Sequence, residues 1–174
     1  MRWFWIDRFN SFVKGREASA VKNVALDEEA LDDYCLGHPY LPMPLIIEGF
    51  AQLGGILVSE LSGFTERVVL AKVAKAEFLR PARPGDQLHY HATLDTMQPD
   101  GAMVTCTSHL NGELQAEAQL MFAFLSDDRF GDQLLFGPGQ MQTMLRLMGF
   151  FEVAVDQAGN PLTPIVTTGT SQDQ

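Results

Sequence analysis

The sequence predicts an α+β domain in which a curled antiparallel sheet surrounds one long buried helix. The helix is predicted over Leu45–Val58, a segment that is apolar on nearly every side. Four strand-like runs follow it, at Val68–Phe78, Gln87–Met97, Met103–Leu110 and Glu113–Leu125. Asn111-Gly112 joins the last two runs and is a strong hairpin signal. A meander that follows a buried helix favours a sheet wrapped around that helix.

The predicted helix carries one narrow polar stripe. Pro44 fits its first position, where a missing N–H costs nothing. Polar or small residues then recur at helical spacing, at Glu48, Gln52, Gly55 and Ser59. The segment is nearly long enough to cross a membrane, but a carboxylate within a span is costly, so we interpret it as a helix buried in protein. Glycines in this helix indicate close approach of a neighbouring strand.

The regions flanking this core are less regular. A strand near Phe12 and a second at Ala18–Val24 are predicted before the helix. We expect one domain over residues 1–126 and an extension over 127–174, partly helical at Gln140–Phe150, with a frayed end. One face of the extension helix is rich in methionine, at Met141, Met144 and Met148, and is interpreted as a packing surface. The extension could cover the site, pack on the outer face of the sheet or recruit a partner.

Composition excludes several classes of function. The 174 residues carry a formal net charge of −10, which argues against nonspecific nucleic-acid binding. Cys35 and Cys106 have no metal-type spacing and are expected to be buried thiols in a reducing compartment, so the cytoplasm is predicted. No metal site or organic cofactor is expected. His89, His91 and His109 are interpreted as surface residues on strands.

Two residues remain as candidates for chemistry. His38 lies in a proline-bounded loop, and Glu48 lies in the first turn of the apolar helix. Taken alone, His38 is a loop histidine and Glu48 a residue that complements the helix dipole. Together they are a minimal pair for removing a proton from carbon and protonating a leaving oxygen.

The motif around Glu48 resembles a known family. Residues 41–52 read Leu-Pro-Met-Pro-Leu-Ile-Ile-Glu-Gly-Phe-Ala-Gln. They are similar to the Met-Pro-Gly-Val-Leu-Ile-Ile-Glu-Ala-Leu-Ala-Gln segment of bacterial 3-hydroxyacyl-acyl-carrier-protein dehydratases. Further landmarks of that family stand in the same order at Ile6–Arg8, Val21–Val24, Gly37-His38, Lys75–Pro81, Pro84–Leu88 and Gly112–Ala118. The resemblance runs from about Trp5 to Leu125.

The resemblance implies the hotdog fold and a homodimer, with a trimer of dimers as an open alternative. His38 of one subunit would face Glu48 of the other. His38 would remove the C2 proton of a 3-hydroxyacyl thioester, and Glu48 would protonate the departing 3-hydroxyl. The backbone N–H of Met43 aligns with a family glycine whose amide polarises the thioester carbonyl. Gln52 would orient the Glu48 carboxylate.

The sequence departs from the family in the loop before the helix. His38 and Glu48 are ten positions apart, a shorter spacing than the family has, and Met43 replaces the glycine. Two alternatives therefore stand beside a dehydratase, namely an acyl-binding subunit without activity and an acyl thioesterase on the same fold.

A basic segment follows the central helix. Its residues are Arg67, Lys72, Lys75, Arg80 and Arg83, with Glu77 among them. We expect the last four of these cations to dock an acidic acyl carrier protein, with a coenzyme A thioester as the other candidate substrate. A charged sheet edge that deters strand addition explains the segment equally well.

Overall fold

The computed structural model describes residues 4–28, 31, 39–125 and 138–164. Within these ranges the strands are β1 (Arg8–Val13), β2 (Glu17–Asn23), β3 (Arg67–Phe78), β4 (Gln87–Gln98), β5 (Gly101–Leu110), β6 (Glu113–Leu125) and β7 (Ala154–Val155). The helices are α1 (Met43–Ser59), which continues into a 3-10 turn at Glu60–Ser62, α2 (Pro138–Leu147) and α3 (Phe150–Val153). His38 and Cys35 lie outside the described residues.

One seven-stranded sheet carries the fold, in the order β3-β6-β5-β4-β2-β1-β7. Its strand pairs are antiparallel except for the parallel pair of β1 with β7. Helix α1 packs against β2, β3, β4, β5 and β6. Because five strands contact one helix, the sheet must curl around it, and the predicted α+β architecture is confirmed.

The predicted turns and strands match the structure closely. Asn111 and Gly112 both have positive φ, at 52° and 81°. These are the angles of a type I′ turn, whose twist matches that of the flanking strands. Helix α1 begins at Met43, so Pro44 is its second residue and not its first as predicted. A backbone N–H has no intrahelical acceptor at either position, so proline, which lacks this group, is tolerated at both.

Helix α1 is a core helix. Its Phe50, Leu53 and Leu57 are 0% exposed. By length and composition alone, Met43–Ser62 could cross a membrane, yet its helical part packs against five strands. Glu60, at its end, is buried and paired with Lys14 at 3.1 Å. Burial raises the pKa of the Glu60 carboxyl above its ordinary value, against the lowering effect of the Lys14 ammonium.

Two helix glycines allow the close approach that the sequence indicated. A Cβ built on Gly49 would lie 2.6 Å from Cε2 of Tyr90, a fully buried residue of β4. A Cβ on Gly54 would lie 3.1 Å from the Phe122 ring of β6. At Gly55 the nearest atom would be 3.5 Å away, an ordinary contact. Of the three helix glycines, Gly49 therefore leaves the least room for a side chain.

The C-terminal segment shares the core of the preceding residues. Phe150 packs edge-to-face on Phe9 and Phe12, with ring centroids 5.3 and 4.7 Å apart. Strand β7 extends the sheet beyond β1, and Leu145 of α2 is 0% exposed. The described part of the extension is therefore packed onto the same sheet. The boundary at residue 126 stays a prediction.

Candidate active site

A cavity of about 430 Å³ runs along the polar stripe of α1. All four stripe residues predicted from the sequence line it, at Glu48, Gln52, Gly55 and Ser59. At a rise of about 1.5 Å per residue, the stripe spans roughly 16 Å from Glu48 to Ser59. The cavity is within the size range of small-molecule sites. Its course along the stripe suits a chain-like ligand. Two carboxylates, Glu48 and Glu66, line it together with Arg67, and of these three Glu48 lies on the stripe.

Two hydrogen bonds fix the orientation of the Glu48 carboxylate. Gln52 Nε2 donates to Glu48 Oε1 at 3.0 Å, and the Trp5 backbone N–H donates to Gln52 Oε1 at 2.9 Å. A side-chain amide has one oxygen and one NH₂ group. Since the oxygen must face Trp5, the NH₂ group must face Glu48. The predicted contact between Gln52 and Glu48 is present, and its function stays a prediction.

Trp5 in turn is held by a buried cation that the sequence analysis missed. Lys22 is 7% exposed and its Nζ lies 5.4 Å from the centroid of the Trp5 ring. The same ammonium donates to Glu28 at 2.5 Å and lies 3.8 Å from Asp7. A buried lysine needs such partners, because an unpaired charge in the interior is costly. The usable signal was that Lys22 continues the face of β2 that carries the apolar Ala18 and Ala20.

The remaining walls of the cavity are mostly apolar. Residues from the N-terminal segment, from the loop after α1, from β3 and from β6 contribute, namely Phe4, Phe64, Val68, Leu70 and Phe122. Helix α2 adds Met141 and Met144, and Met148 follows directly after the helix. The methionine face packs against the core, as interpreted from the sequence, and it also lines the cavity. Met148 is 3% exposed and does pack, while Met141 and Met144 are half-buried at the cavity wall.

Met43 is the first residue of α1, and its side chain is 44% exposed. Its φ is not positive, so the methionine fits where the resembled family has glycine. The first backbone N–H groups of a helix have no intrahelical acceptors and lie at the positive end of the helix dipole. The amide of Met43 is thus suited to contact an oxygen atom that gains negative charge.

The structure divides the predicted carrier-docking residues into two classes. Lys75 pairs with Glu117 at 2.7 Å, and Arg80 pairs with Glu113. The Glu117 carboxylate raises the pKa of Lys75 above its ordinary value. Lys72 and Arg83 are exposed and form no ion pair with another described residue. The cations that remain for an acidic partner are therefore Lys72 and Arg83.

The described histidines and Cys106 are not part of the cavity lining. Within residues 4–28, 31, 39–125 and 138–164, no group of three or more His, Cys, Asp or Glu is arranged to hold a metal ion. His89 and His109 are directly opposite each other in the pairing of β4 with β5. His89, which was predicted to lie at the surface, is exposed. Cys106 is fully buried, as predicted, and burial raises the pKa of its thiol. This thiol is unsuited to act as a nucleophile.

Comparison with protein families and curated proteins gives a consistent result. Residues 4–126 match the model of the FabA-like domain. The 3-hydroxyacyl-[acyl-carrier-protein] dehydratase FabZ of Nitratiruptor sp. is 36% identical over 124 residues, covering 66% of this chain and 82% of the relative. The FabZ of Pelotomaculum thermopropionicum is 35% identical over 119 residues, covering 68% of this chain and 85% of the relative.

Solved structures share the fold at lower identity. A Streptococcus mutans protein bound to acetyl CoA has a TM-score of 0.59 and 20% identity, covering 72% of this chain and 94% of that chain. An acyl-CoA hydrolase from Staphylococcus aureus, in complex with butyryl coenzyme A, has a TM-score of 0.52 and 20% identity, covering 64% of this chain and 65% of that chain. At this level of identity the likeness concerns the fold alone.

Proposed function

Because the chain belongs to the FabA-like family and FabZ dehydratases are among its relatives, we propose that it removes water from 3-hydroxyacyl thioesters to give trans-2-enoyl thioesters. This reaction is a step of fatty-acid or related acyl metabolism. The observation that carries the proposal is the Glu48 carboxylate, held by Gln52 beside an elongated and mostly apolar cavity. An acyl chain would occupy the apolar part, with its reacting carbons at Glu48.

In the proposed reaction, His38 takes the proton from C2, and the electron pair of that bond forms the new C2–C3 double bond. Glu48 donates a proton to the 3-hydroxyl as the C3–O bond breaks, so water leaves. His38 thereby gains one proton and Glu48 loses one, and transfer between them through solvent restores the starting state. Positioned acid and base groups of this kind contribute about 10²–10⁴ in rate.

The N-terminus of α1 supplies the third contribution in this proposal. Negative charge develops on the thioester oxygen as the C2 proton leaves. The Met43 N–H would donate to that oxygen, and the helix dipole favours the charge there. The Gln52 bridge from Trp5 would keep the Glu48 carboxylate aimed at the hydroxyl, since it fixes one of the two carboxylate oxygens.

A product assay tests the function directly. Purified protein incubated with 3-hydroxybutyryl and longer 3-hydroxyacyl thioesters should give enoyl thioester, detected by its ultraviolet absorbance. Release of free thiol without enoyl product would instead identify a thioesterase. Neither product from any substrate, together with acyl binding, would identify an acyl-binding subunit and contradict the dehydratase proposal. A thiol reagent in parallel reactions separates the first two outcomes.

We also propose that the working unit is a homodimer joined at β3. This 12-residue strand is an edge of the sheet, and most of its residues are exposed. Leu70 and Val73 oppose Phe122 and Leu120 of β6 and so face the helix side of the sheet. They are nevertheless 38% and 39% exposed. Pairing with β3 of a second copy would continue the sheet and cover these side chains.

Val73→Glu should disrupt this dimer, because a charge on the helix side of an edge strand opposes strand pairing. Light scattering after size exclusion should show the wild type as a dimer and the variant as a monomer. The variant should also lose dehydratase activity, since the proposed site uses residues of two subunits. Met97→Glu, which places a charge on the exposed end of β4, is the control. A dimeric Val73→Glu protein would contradict the β3 interface.

Acyl carrier protein is the carrier that we propose, with Lys72 and Arg83 at its docking surface. Replacing both with glutamate should raise KM for acyl-carrier-protein substrates by about tenfold or more, because each reversal turns an attraction into a repulsion. KM for the matching pantetheine thioesters should not change. A double variant, Arg16→Glu with Arg146→Glu, makes the same change in net charge at two exposed positions outside this surface and is the control. An equal effect on both classes of substrate would reject this docking surface.

The cytoplasm is the compartment that we propose. The support is Cys106, which is a free buried thiol among the described residues, as is usual in a reducing compartment.

A further inference from the structure

Helix α2 forms part of the active-site cavity although it lies outside the segment shared with the family. The family match ends at residue 126, and α2 begins at Pro138. Its Met141 and Met144, together with Met148 directly after it, line the same cavity as Glu48. This wall is therefore an addition to the family domain, and the family resemblance assigns it no function.

The wall is firmly attached to the sheet. The Phe9 N–H of β1 donates to the Met148 carbonyl at 2.9 Å. Leu145 and Met148 are 0% and 3% exposed, and the buried ring of Phe150 follows directly. Removing the helix would expose these side chains to water at a cost of about 1.5–3 kcal/mol for each large one. The methionines at the cavity are thus presented by a fixed element.

Their chemistry suits contact with a hydrocarbon chain. Methionine is unbranched, polarizable and apolar, so it fills irregular space and adapts to ligands of similar shape. Glu48 and Gln52 line the reacting part of the cavity, while Met141 and Met144 add apolar surface to it. A larger side chain on this wall leaves less room for a chain in the cavity, and a smaller one leaves more.

We propose that Met141 and Met144 select the acyl chain length of the substrate. This inference rests on the proposed function, which puts the reacting carbons of the substrate at Glu48. The position of the acyl chain beside the methionines follows from the shape of the cavity. Enlarging either side chain should shorten the preferred substrate, and truncating either should lengthen it.

The test uses the full-length protein with Met141→Ala, Met144→Ala and Met144→Trp. Affinity for saturated acyl-pantetheine thioesters, from butyryl to palmitoyl, is measured by calorimetry, and kcat/KM is measured with the matching 3-hydroxyacyl series. Met144→Trp should weaken binding of the longest chains and lower their kcat/KM by at least about tenfold relative to the wild type. For the butyryl compounds both quantities should stay within about twofold of the wild-type values. Both alanine variants should shift the optimum of both series toward longer chains.

Leu147→Trp is the matched control, because Leu147 lies on the same helix, is 59% exposed and is not part of the cavity lining. It should leave both profiles unchanged. Unchanged profiles in all three methionine variants, or a wild type that binds no acyl chain, would overturn the inference. A wild type that binds the acyl series but forms no enoyl product would reject the proposed reaction while the binding series still tests the wall.

Discussion

Glu48→Gln is expected to lower kcat for dehydration at least about a hundredfold, the loss typical of a removed general acid. The glutamine keeps the size of the side chain but cannot donate a carboxylic proton to the leaving hydroxyl. His38→Ala should lower kcat to a similar degree, because the C2 proton would then have no base. Steady-state assays with 3-hydroxybutyryl and longer substrates measure both effects.

The loss must come from chemistry and not from unfolding. Thermal melting of both variants should stay near that of the wild type, and both should remain dimers. Glu152→Gln, an exposed carboxylate of α3 that lies outside the cavity lining, is the control and should keep full activity. Full activity in Glu48→Gln or His38→Ala would reject the proposed acid and base.

The same two variants test whether each site uses two subunits. A mixed dimer of one His38→Ala chain and one Glu48→Gln chain, isolated with two affinity tags, has one site that lacks both residues and one intact site. Activity should therefore return, although each parent is inactive. An inactive mixed dimer would place His38 and Glu48 of the same chain together and contradict the shared site.

Gly49→Ala is expected to destabilise the protein by about 1–3 kcal/mol, the usual cost of overpacking a core. The new Cβ would lie 2.6 Å from Tyr90 and 3.1 Å from the carbonyl oxygen of Trp5, so the helix or the sheet must move. Trp5 also holds Gln52, so the displacement should lower activity as well. Urea unfolding monitored by circular dichroism measures the change in stability.

Gly55→Ala is the matched substitution on the same helix. Its Cβ would meet the Phe122 ring at 3.5 Å, an ordinary contact. Alanine has the higher helix propensity, so this variant should be neutral or more stable by up to about 0.5–1 kcal/mol. Equal destabilisation by both substitutions would show that the close approach at Gly49 does not control stability.

Local patterns in the sequence were sufficient to predict the central helix, the strands of the meander and the hairpin at Asn111-Gly112. Each depends on periodicity or turn chemistry within a few neighbouring residues. The polar stripe of α1 was predictable for the same reason, because helical spacing alone places Glu48, Gln52, Gly55 and Ser59 on one face. These features define the fold class and one side of the site.

Only the tertiary structure determines which residues from other segments lie near that stripe. The Trp5 amide that fixes Gln52 is 47 positions away in sequence, and no local pattern encodes that contact. The sequence indicates that the helical face with Met141 and Met144 is apolar, but it does not indicate what that face contacts. These residues were therefore interpreted as packing residues. Lys75 and Arg80 looked available to a partner until the pairing of β3 with β6 brought Glu117 close to Lys75. Contacts between distant segments depend on how the sheet curls, and therefore only the folded chain defines them.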